Sequence, residues 1–243
     1  MDTRIQGYKG SLAILFLLAF SGCSFIENAT KHDFSDGSYR YKKPGEKVEK
    51  VFATVNEDTV TIYPLLKEAG RKIADTSRPT TILLQQVRSI ELPRYGTLRK
   101  TALDVDLMTI IFKYRPEVDD MPNQLNSNFN AALYLGYRKD YFRIQGFRSP
   151  MPVISIRKIH FGFDAGLYAG FSTAVINPWV TNNNIEAEYD GFVFQRGIGA
   201  FMGVEDFGFG LVLGFDSLLD ENKKYWIYQR KPYIGFAIGL TLN

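Results

Sequence analysis

Cysteine and histidine are nearly missing from this chain, and their scarcity excludes several classes of protein. Among 243 residues there is one Cys and there are two His. One cysteine cannot build a disulfide framework or a zinc cluster of several thiolates. His32 and His160 are too few for a histidine-rich metal centre. The sequence therefore predicts no metal site and no cofactor.

Charge is also scarce, whereas aromatic residues and glycine are abundant. Charged residues make up 23% of the chain and the formal net charge is +3, but a nucleic-acid-binding domain concentrates Lys and Arg on one face. No nucleic acid is therefore expected as a partner. With 45% hydrophobic residues, the chain is too apolar to be disordered. Its 21 Gly, 19 Phe and 14 Tyr are the combination that the fold has to explain.

Residues 1–22 have the organisation of an export signal. Arg4 and Lys9 precede the apolar run 12–20, which is shorter than the roughly 20 apolar residues of a transmembrane helix. The run ends in Ser-Gly-Cys-Ser, and small residues directly before Cys23 resemble a bacterial lipoprotein box. That resemblance implies lipid attachment at Cys23, which would become the mature N-terminus. The alternative is an ordinary signal peptide with an incidental Cys.

Two segments separate the signal from the C-terminal half. Residues 23–37 are polar and aperiodic, which suits a tether, and residues 38–100 form a small β-rich segment. Apolar residues alternate with others over 47–63, which predicts a hairpin, and 80–92 is again strand-like. Residues 65–79 predict one short helix, weakened by Gly70.

From residue 101 onward, large apolar residues alternate with small ones. Over 161–171 one face holds Phe161, Phe163, Ala165, Leu167, Ala169 and Phe171, and the other face holds Gly162, Asp164, Gly166, Tyr168 and Gly170. The same period returns over 207–216 and 233–242, and it predicts strands. The second face has too little charge for a surface in water. We therefore expect the large residues to face lipid and the small ones to face a barrel lumen; a doubly buried soluble sheet is the alternative.

Loop lengths support a barrel. The expected strands cover residues 101–114, 129–147, 153–171, 187–204, 206–217 and 231–242. The connections 115–128, 172–186 and 218–230 are long, and they alternate with the short connections 148–152 and 205–206. Outer-membrane barrels alternate long outer loops with short periplasmic turns, and eight strands is their usual minimum. We therefore expect about eight strands, with the missing pair supplied by 47–63 or by 80–92.

Polar residues on these strands and aromatic residues at their ends are the candidate site residues. The predicted polar residues of the lumen are Asp104, Asp106, Arg138, Asp164, Arg196 and Asp216. The predicted membrane-interface aromatics are Trp179, Tyr189, Trp226 and Tyr228, because Trp and Tyr are enriched where bilayer meets water. The basic stretch 138–160 predicts either two strands that extend beyond the membrane or a turn at Lys139-Asp140.

Four stretches carry a family resemblance. They are residues 104–116 (DVDLMTIIFKYRP), 130–138 (NAALYLGYR), 177–179 (NPW) and 218–232 (LLDENKKYWIYQRKP). Together they resemble a group of uncharacterised outer-membrane barrel proteins from Gram-negative envelopes. The resemblance spans most of 101–243 and implies a barrel and a location, without an activity.

The expectation is an all-β protein with a small antiparallel transmembrane β-barrel over 101–243. It would be an outer-membrane lipoprotein with a structural or interaction role and no enzymatic activity. Its partners would be membrane lipids and an envelope or extracellular protein met by the long loops. One alternative is a membrane-embedded lipid hydrolase or acyltransferase that uses His160, Asp164 and Ser155 or Ser172. The other is a soluble periplasmic lipid-binding barrel, which would need its Phe and Leu face turned inward.

Overall fold

The computed structural model of the chain describes residues 34–68, 70–88, 91–150, 152–204 and 207–241. The expected signal peptide, Cys23 and most of the tether lie outside these residues. The described chain is all-β. In chain order its strands are β1 (Gly37–Lys42), β2 (Glu49–Asn56), β3 (Thr59–Glu68), β4 (Arg71–Ala74), β5 (Thr80–Leu83), β6 (Gln86–Val87), β7 (Arg94–Arg115), β8 (Gln124–Asn126), β9 (Asn130–Arg148), β10 (Ile154–Ile176), β11 (Tyr189–Val204), β12 (Phe207–Leu218) and β13 (Pro232–Thr241).

Six long antiparallel strands form a closed ring. Strands β7, β9, β10, β11, β12 and β13 each pair with the next, and β13 returns to pair with β7. All six strands that the alternation predicts are therefore present. Closure leaves this part of the sheet without an open edge. No other described strand joins the ring, so the expected count of about eight is not confirmed.

The predicted alternation of long and short connections is confirmed. The long connections 116–129, 177–188 and 219–231 all lie at one end of the ring, called here the loop end. The second contains the 3₁₀ helix Trp179–Thr181 and the third contains the 3₁₀ helix Glu221–Lys224. At the opposite end, β9 ends at Arg148 and β10 begins at Ile154, while β11 ends at Val204 and β12 begins at Phe207.

Three ring strands continue past the ring at that opposite end and carry the N-terminal strands. The register of β9 and β10 runs without interruption from Ser172↔Asn130 to Ile154↔Arg148. The basic stretch 138–160 is therefore a pair of extended strands, with no turn at Lys139-Asp140. Strand β1 pairs with the first part of β7, β2 and β3 follow it, and β6 pairs with β10. The expected domain boundary at residue 101 lies inside β7, so one strand serves both parts.

The N-terminal strands and the extended ring strands share an apolar core. Tyr39, Val51 and Ile62 come from β1, β2 and β3, and they meet Leu98 and Phe142 from β7 and β9. Burying a large apolar side chain contributes roughly 1.5–3 kcal/mol. This core therefore holds the N-terminal sheet on the ring strands independently of the hydrogen bonds between β1 and β7.

The short helix predicted over 65–79 is wrong. Strand β3 continues to Glu68, and its end pairs with β4, with Leu65 opposite Ala74. Gly70 lies in the hairpin turn with a φ of +79°, a left-handed conformation that glycine adopts without steric cost. The residue that weakens a helical pattern is thus the residue that permits the turn.

Candidate functional site

The side chains that point away from the ring are large and apolar. Leu167 is 62% exposed and Leu211 is 63% exposed. Comparable residues lie on every ring strand: Phe112 and Tyr114; Leu133, Leu135 and Tyr137; Phe163 and Phe171; Phe192, Ile198 and Met202; Phe209, Leu213 and Phe215; Ile234 and Phe236. Water-soluble monomers expose such residues singly and rarely as a continuous surface. We call this surface the apolar band.

The height of the apolar band follows from the length of strand that it covers. Its residues run from Phe129, directly before β9, to Tyr137 on β9, and Lys139 follows on the same face. At the usual rise per residue this is about 27 Å along the strand. A strand tilt of about 40° gives a height near 21 Å, against about 25 Å for the lipid-facing band of membrane barrels.

Arg196 lies in the apolar band, and its prediction as a lumen residue is wrong. It is exposed between Phe194 and Ile198, while Gln195 is buried in the interior. The strict alternation along β11 turns every second residue outward. Arg196 pairs with Ala169 on β10, a small residue that leaves room for the arginine stem.

Small residues face the interior of the ring because large side chains from other strands occupy the space beside them. A Cβ on Gly203 would lie 2.9 Å from Arg138 Nη2, and a Cβ on Gly162 would lie 2.8 Å from Asp140 Oδ1. A Cβ on Gly214 would overlap the hydroxyl of Tyr168. These glycines are spacers for interior aromatic and charged groups.

A buried ion cluster lies inside the ring near the loop end. Asp216 accepts hydrogen bonds from Lys113 Nζ, which is 3.1 Å from each carboxylate oxygen, and from Arg115 Nη2. Lys113 Nζ also lies 3.1 Å from Ser172 Oγ and 4.6 Å from the ring centroid of Tyr233. Asp216 is thus a counter-ion for two cations at once.

Aromatic residues surround the arginine of this cluster. The Arg115 guanidinium lies 5.0 to 5.5 Å from the ring centroids of Trp226, Tyr228 and Tyr233. Tyr233 in turn shares a 2.8 Å hydrogen bond with Tyr168. Such ring faces attract a cation most strongly when it is desolvated, so the rings stabilise Arg115 beside its carboxylate.

A second buried cluster, centred on Arg138, lies inside the ring farther from the loop end. Its Nε donates to Asp140 Oδ1 at 2.9 Å, and its Nη1 lies 3.7 Å from Asp104 Oδ2. His160 Nε2 lies 2.9 Å from the same Asp140 oxygen. The guanidinium and the imidazole therefore stabilise carboxylates that would be costly to bury alone.

The remaining predicted lumen residues lie beside these two clusters. Asp164 is buried and accepts a hydrogen bond from the hydroxyl of Tyr134. Asp106 is half-buried on the inward row of β7. Asp104, Arg138 and Asp216 are buried as described above. The structure thus brings Asp104, Arg138 and Asp164 into one region and places Asp216 in another.

A β-bulge hides Lys113 and Arg115 from sequence analysis. Opposite β13, Phe236 pairs with Phe112 while the next residue pairs with Ile110, so Ile111 is the extra residue. A bulge shifts the alternation by one position. Ile110 faces inward, so strict alternation from Ile110 would place Lys113 and Arg115 on the outward face. Their charge within an otherwise apolar outward row was the one signal that could have located them.

The predicted interface aromatics divide into two groups. Trp179 is 78% exposed at the loop end, and Tyr189 Oη donates to Asp220 Oδ2 at 2.8 Å. Trp226 and Tyr228 are buried in a core under the long connections, so their prediction as interface residues is wrong. Their apolar rings contact Arg115 and the strand ends instead of the outer surface.

The described residues bring no Ser-His-Asp trio together. His160 contacts Asp140, and the Oγ of Ser155 accepts from Arg157 Nε at 3.2 Å. Lys113 Nζ contacts Ser172 Oγ and is also hydrogen-bonded to both Asp216 oxygens. In the same part of the chain, no group of three or more His, Cys, Asp and Glu has metal-binding geometry. Nor does it contain a helix with the length and hydrophobicity to span a bilayer.

The apolar side chains do not face inward as the soluble lipid-binding alternative requires. Phe163, Leu167 and Phe171 point outward, and the interior opposite them is filled by tyrosines and ion pairs. No protein family, curated protein or solved structure matches the chain. Function is therefore argued from the geometry described above.

Proposed function

We propose that this chain is an outer-membrane β-barrel lipoprotein with a structural or interaction role in the cell envelope. The observation that carries the proposal is the apolar band around a closed antiparallel ring. A closed ring satisfies the backbone hydrogen bonds that an open sheet edge would leave unpaired in lipid.

The filled interior favours an anchoring role over transport. The interior holds a cluster of Tyr134, Tyr168 and Tyr233. One ion cluster lies on the loop-end side of these tyrosines and the other lies on the opposite side. Barrels of about eight strands or fewer are narrow enough to be filled by side chains. The surfaces left for partners are then the three long connections at one end and the N-terminal sheet at the other.

The proposed topology places the loop end outside the cell and the N-terminal sheet in the periplasm. Short turns of membrane barrels lie on the periplasmic side, and the connection 149–153 lies at the end that carries β1. A lipid on Cys23 would then insert on the same side as β1, because the polar residues 24–33 would otherwise have to cross the lipid with unpaired backbone groups.

Cell fractionation tests the location. The protein is expected in the outer-membrane fraction, with a gel mobility that changes on heating, because a folded barrel resists the detergent until it is heated. The Cys23→Ala variant is expected to lose its lipid and remain in the membrane through the barrel. Release of this variant into the soluble periplasm would contradict the barrel proposal and leave only a lipid-anchored soluble protein.

Labelling of intact cells tests the orientation. A cysteine introduced as Lys223→Cys, in the exposed connection 219–231, is expected to react with a membrane-impermeant maleimide. The matched control Lys50→Cys, at an exposed position of β2, is expected to react only after the outer membrane is opened. The unsubstituted chain gives the background from Cys23, and the reverse pattern would mean an inverted topology.

A further inference from the structure

A cavity of about 350 Å³ lies at the loop end, between the long connections and the ends of the ring strands. Gln124, Asn126 and Asn128 line it from the first long connection, and Val180 lines it from the second. Arg115 and Tyr228 reach it from the ring and from the third connection. The volume is near the lower limit of about 300–1,000 Å³ for small-molecule sites, so it suits one small molecule.

Two buried donors at this cavity have no protein partner. Arg115 is 4% exposed and Tyr228 is 3% exposed, yet Arg115 Nη1 and Tyr228 Oη make no hydrogen bond within the described residues. The other guanidinium nitrogens are bonded, Nη2 to Asp216 and Nε to Asn126 Oδ1 at 3.2 Å. Buried donors without partners are rare and costly in folded proteins. Both side chains line the cavity, so a small movement of each would bring its donor to an acceptor held there.

The buried charges here carry a net positive charge. Lys113 and Arg115 contribute two positive charges and Asp216 contributes one negative charge. A bound carboxylate would balance them, and a hydrogen bond between a charged donor and a charged acceptor is stronger than one between neutral groups. The amides of Gln124, Asn126 and Asn128 provide both donors and acceptors, the combination that recognises hydroxyl groups.

We propose that this cavity binds a small hydroxylated carboxylate, a sugar acid of monosaccharide size. Arg115 Nη1 and Tyr228 Oη donate to the carboxylate, and the side-chain amides contact the hydroxyls. The proposed topology opens this cavity to the cell exterior. The binding chemistry itself rests only on the residues named here.

Tryptophan fluorescence offers a direct test, because the chain has two Trp residues and Trp226 lines the cavity. In the full-length Trp179→Phe variant, purified in detergent, Trp226 is the remaining reporter. Titration with glucuronate is expected to give a saturable emission change. Glucose, which lacks the carboxylate, is expected to bind at least tenfold more weakly, and sodium chloride at equal ionic strength is expected to give no saturable change.

Variants separate recognition from folding. Tyr228→Phe removes a hydroxyl that has no protein partner, so heat-modifiable mobility is expected to stay unchanged while glucuronate binding weakens about tenfold. Arg115→Gln is expected to abolish binding, with folding judged on the same gel. Arg196→Ala, which removes an arginine on the outer face, is expected to bind like the parent.

Three results would overturn the proposal. The first is the absence of a saturable response to glucuronate at tens of millimolar, which would mean that the cavity holds water only. The second is equal affinity for glucuronate and glucose, and the third is unchanged affinity in Tyr228→Phe. None of them bears on the membrane location, which the fractionation experiment tests separately.

Discussion

Single glycines inside the ring explain why a chain so rich in Phe and Tyr also needs so many Gly residues. Tyr168 and Tyr233 fill the interior only because the neighbouring positions, among them Gly214, lack a Cβ. An aromatic ring and a glycine are therefore one packing unit shared between strands. The same relation holds for Arg138 and Gly203, where a guanidinium takes the place of the ring.

Gly214→Ala is expected to destabilise the protein by about 1–3 kcal/mol, because the added methyl overlaps the hydroxyls of Tyr168 and Tyr233 in a filled interior. The measurement is urea-induced unfolding of the purified protein in detergent. The control is Gly208→Ala on the same strand, where a Cβ would meet only Gly239 O at 3.9 Å. Equal effects of the two substitutions would contradict the packing account.

Asp216→Asn is expected to be more damaging, because it leaves Lys113 and Arg115 as buried cations without their carboxylate. Breaking a buried ion pair by removing one partner costs roughly 3–5 kcal/mol. The double variant Lys113→Met with Asp216→Asn restores the original net charge of this cluster, so it is expected to be more stable than the single variant. If the losses of unfolding free energy in Lys113→Met and Asp216→Asn simply add in the double variant, Lys113 and Asp216 are not coupled.

At the scale of elements, the strands and their order follow from the sequence because the period of two survives in almost every ring strand. The exception is β7, where the bulge at Ile111 moves Lys113 and Arg115 to the interior. A bulge depends on pairing with β13, which lies far away in sequence, so local alternation cannot reveal it. The hairpin around Gly70 was missed because apolar spacing over 65–79 fits a helix as well as two short strands.

The candidate site was predictable only in part, for a similar reason. Asp104, Arg138, Asp164 and Asp216 interrupt the small-residue face, so their inward position follows from alternation alone. The burial of Trp226 and Tyr228 does not follow from alternation. These residues lie in an irregular connection whose path is set by packing on Arg115. Charged residues on strands were thus easier to place than aromatic residues in loops.

The N-terminal sheet is expected to lose stability at alkaline pH. Burial raises the pKa of Tyr39 to about 12, and burial likewise raises the pKa of Tyr41 to about 12. Both phenols are neutral in the folded sheet, so their contribution to stability is complete below about pH 10, the usual Tyr pKa, and is lost between about pH 10 and 12. Circular dichroism during a base titration measures the loss of folded sheet. The Tyr39→Phe variant is expected to lose less structure between about pH 10 and 12 than the parent chain. A profile that Tyr39→Phe leaves unchanged would exclude this residue as its source.

At the scale of the whole molecule, the question is which solvent the apolar band meets, and one outward charge can decide it. Leu167→Arg places a charge in the apolar band on a side chain that is 62% exposed. In water this change would cost almost nothing, but near the middle of a bilayer an arginine on a barrel surface costs about 2–4 kcal/mol. The variant is therefore expected to fold less completely into lipid vesicles, measured by the fraction that shows heat-modifiable mobility.

The matched control is Leu83→Arg, since Leu83 is an exposed apolar residue on β5 outside the ring. In the proposed topology this strand lies in water, so vesicle folding of the control is expected to equal that of the parent chain. A loss in both variants would point to a general folding defect. Efficient folding of Leu167→Arg would mean that the apolar band does not face lipid, and the membrane proposal would then be wrong.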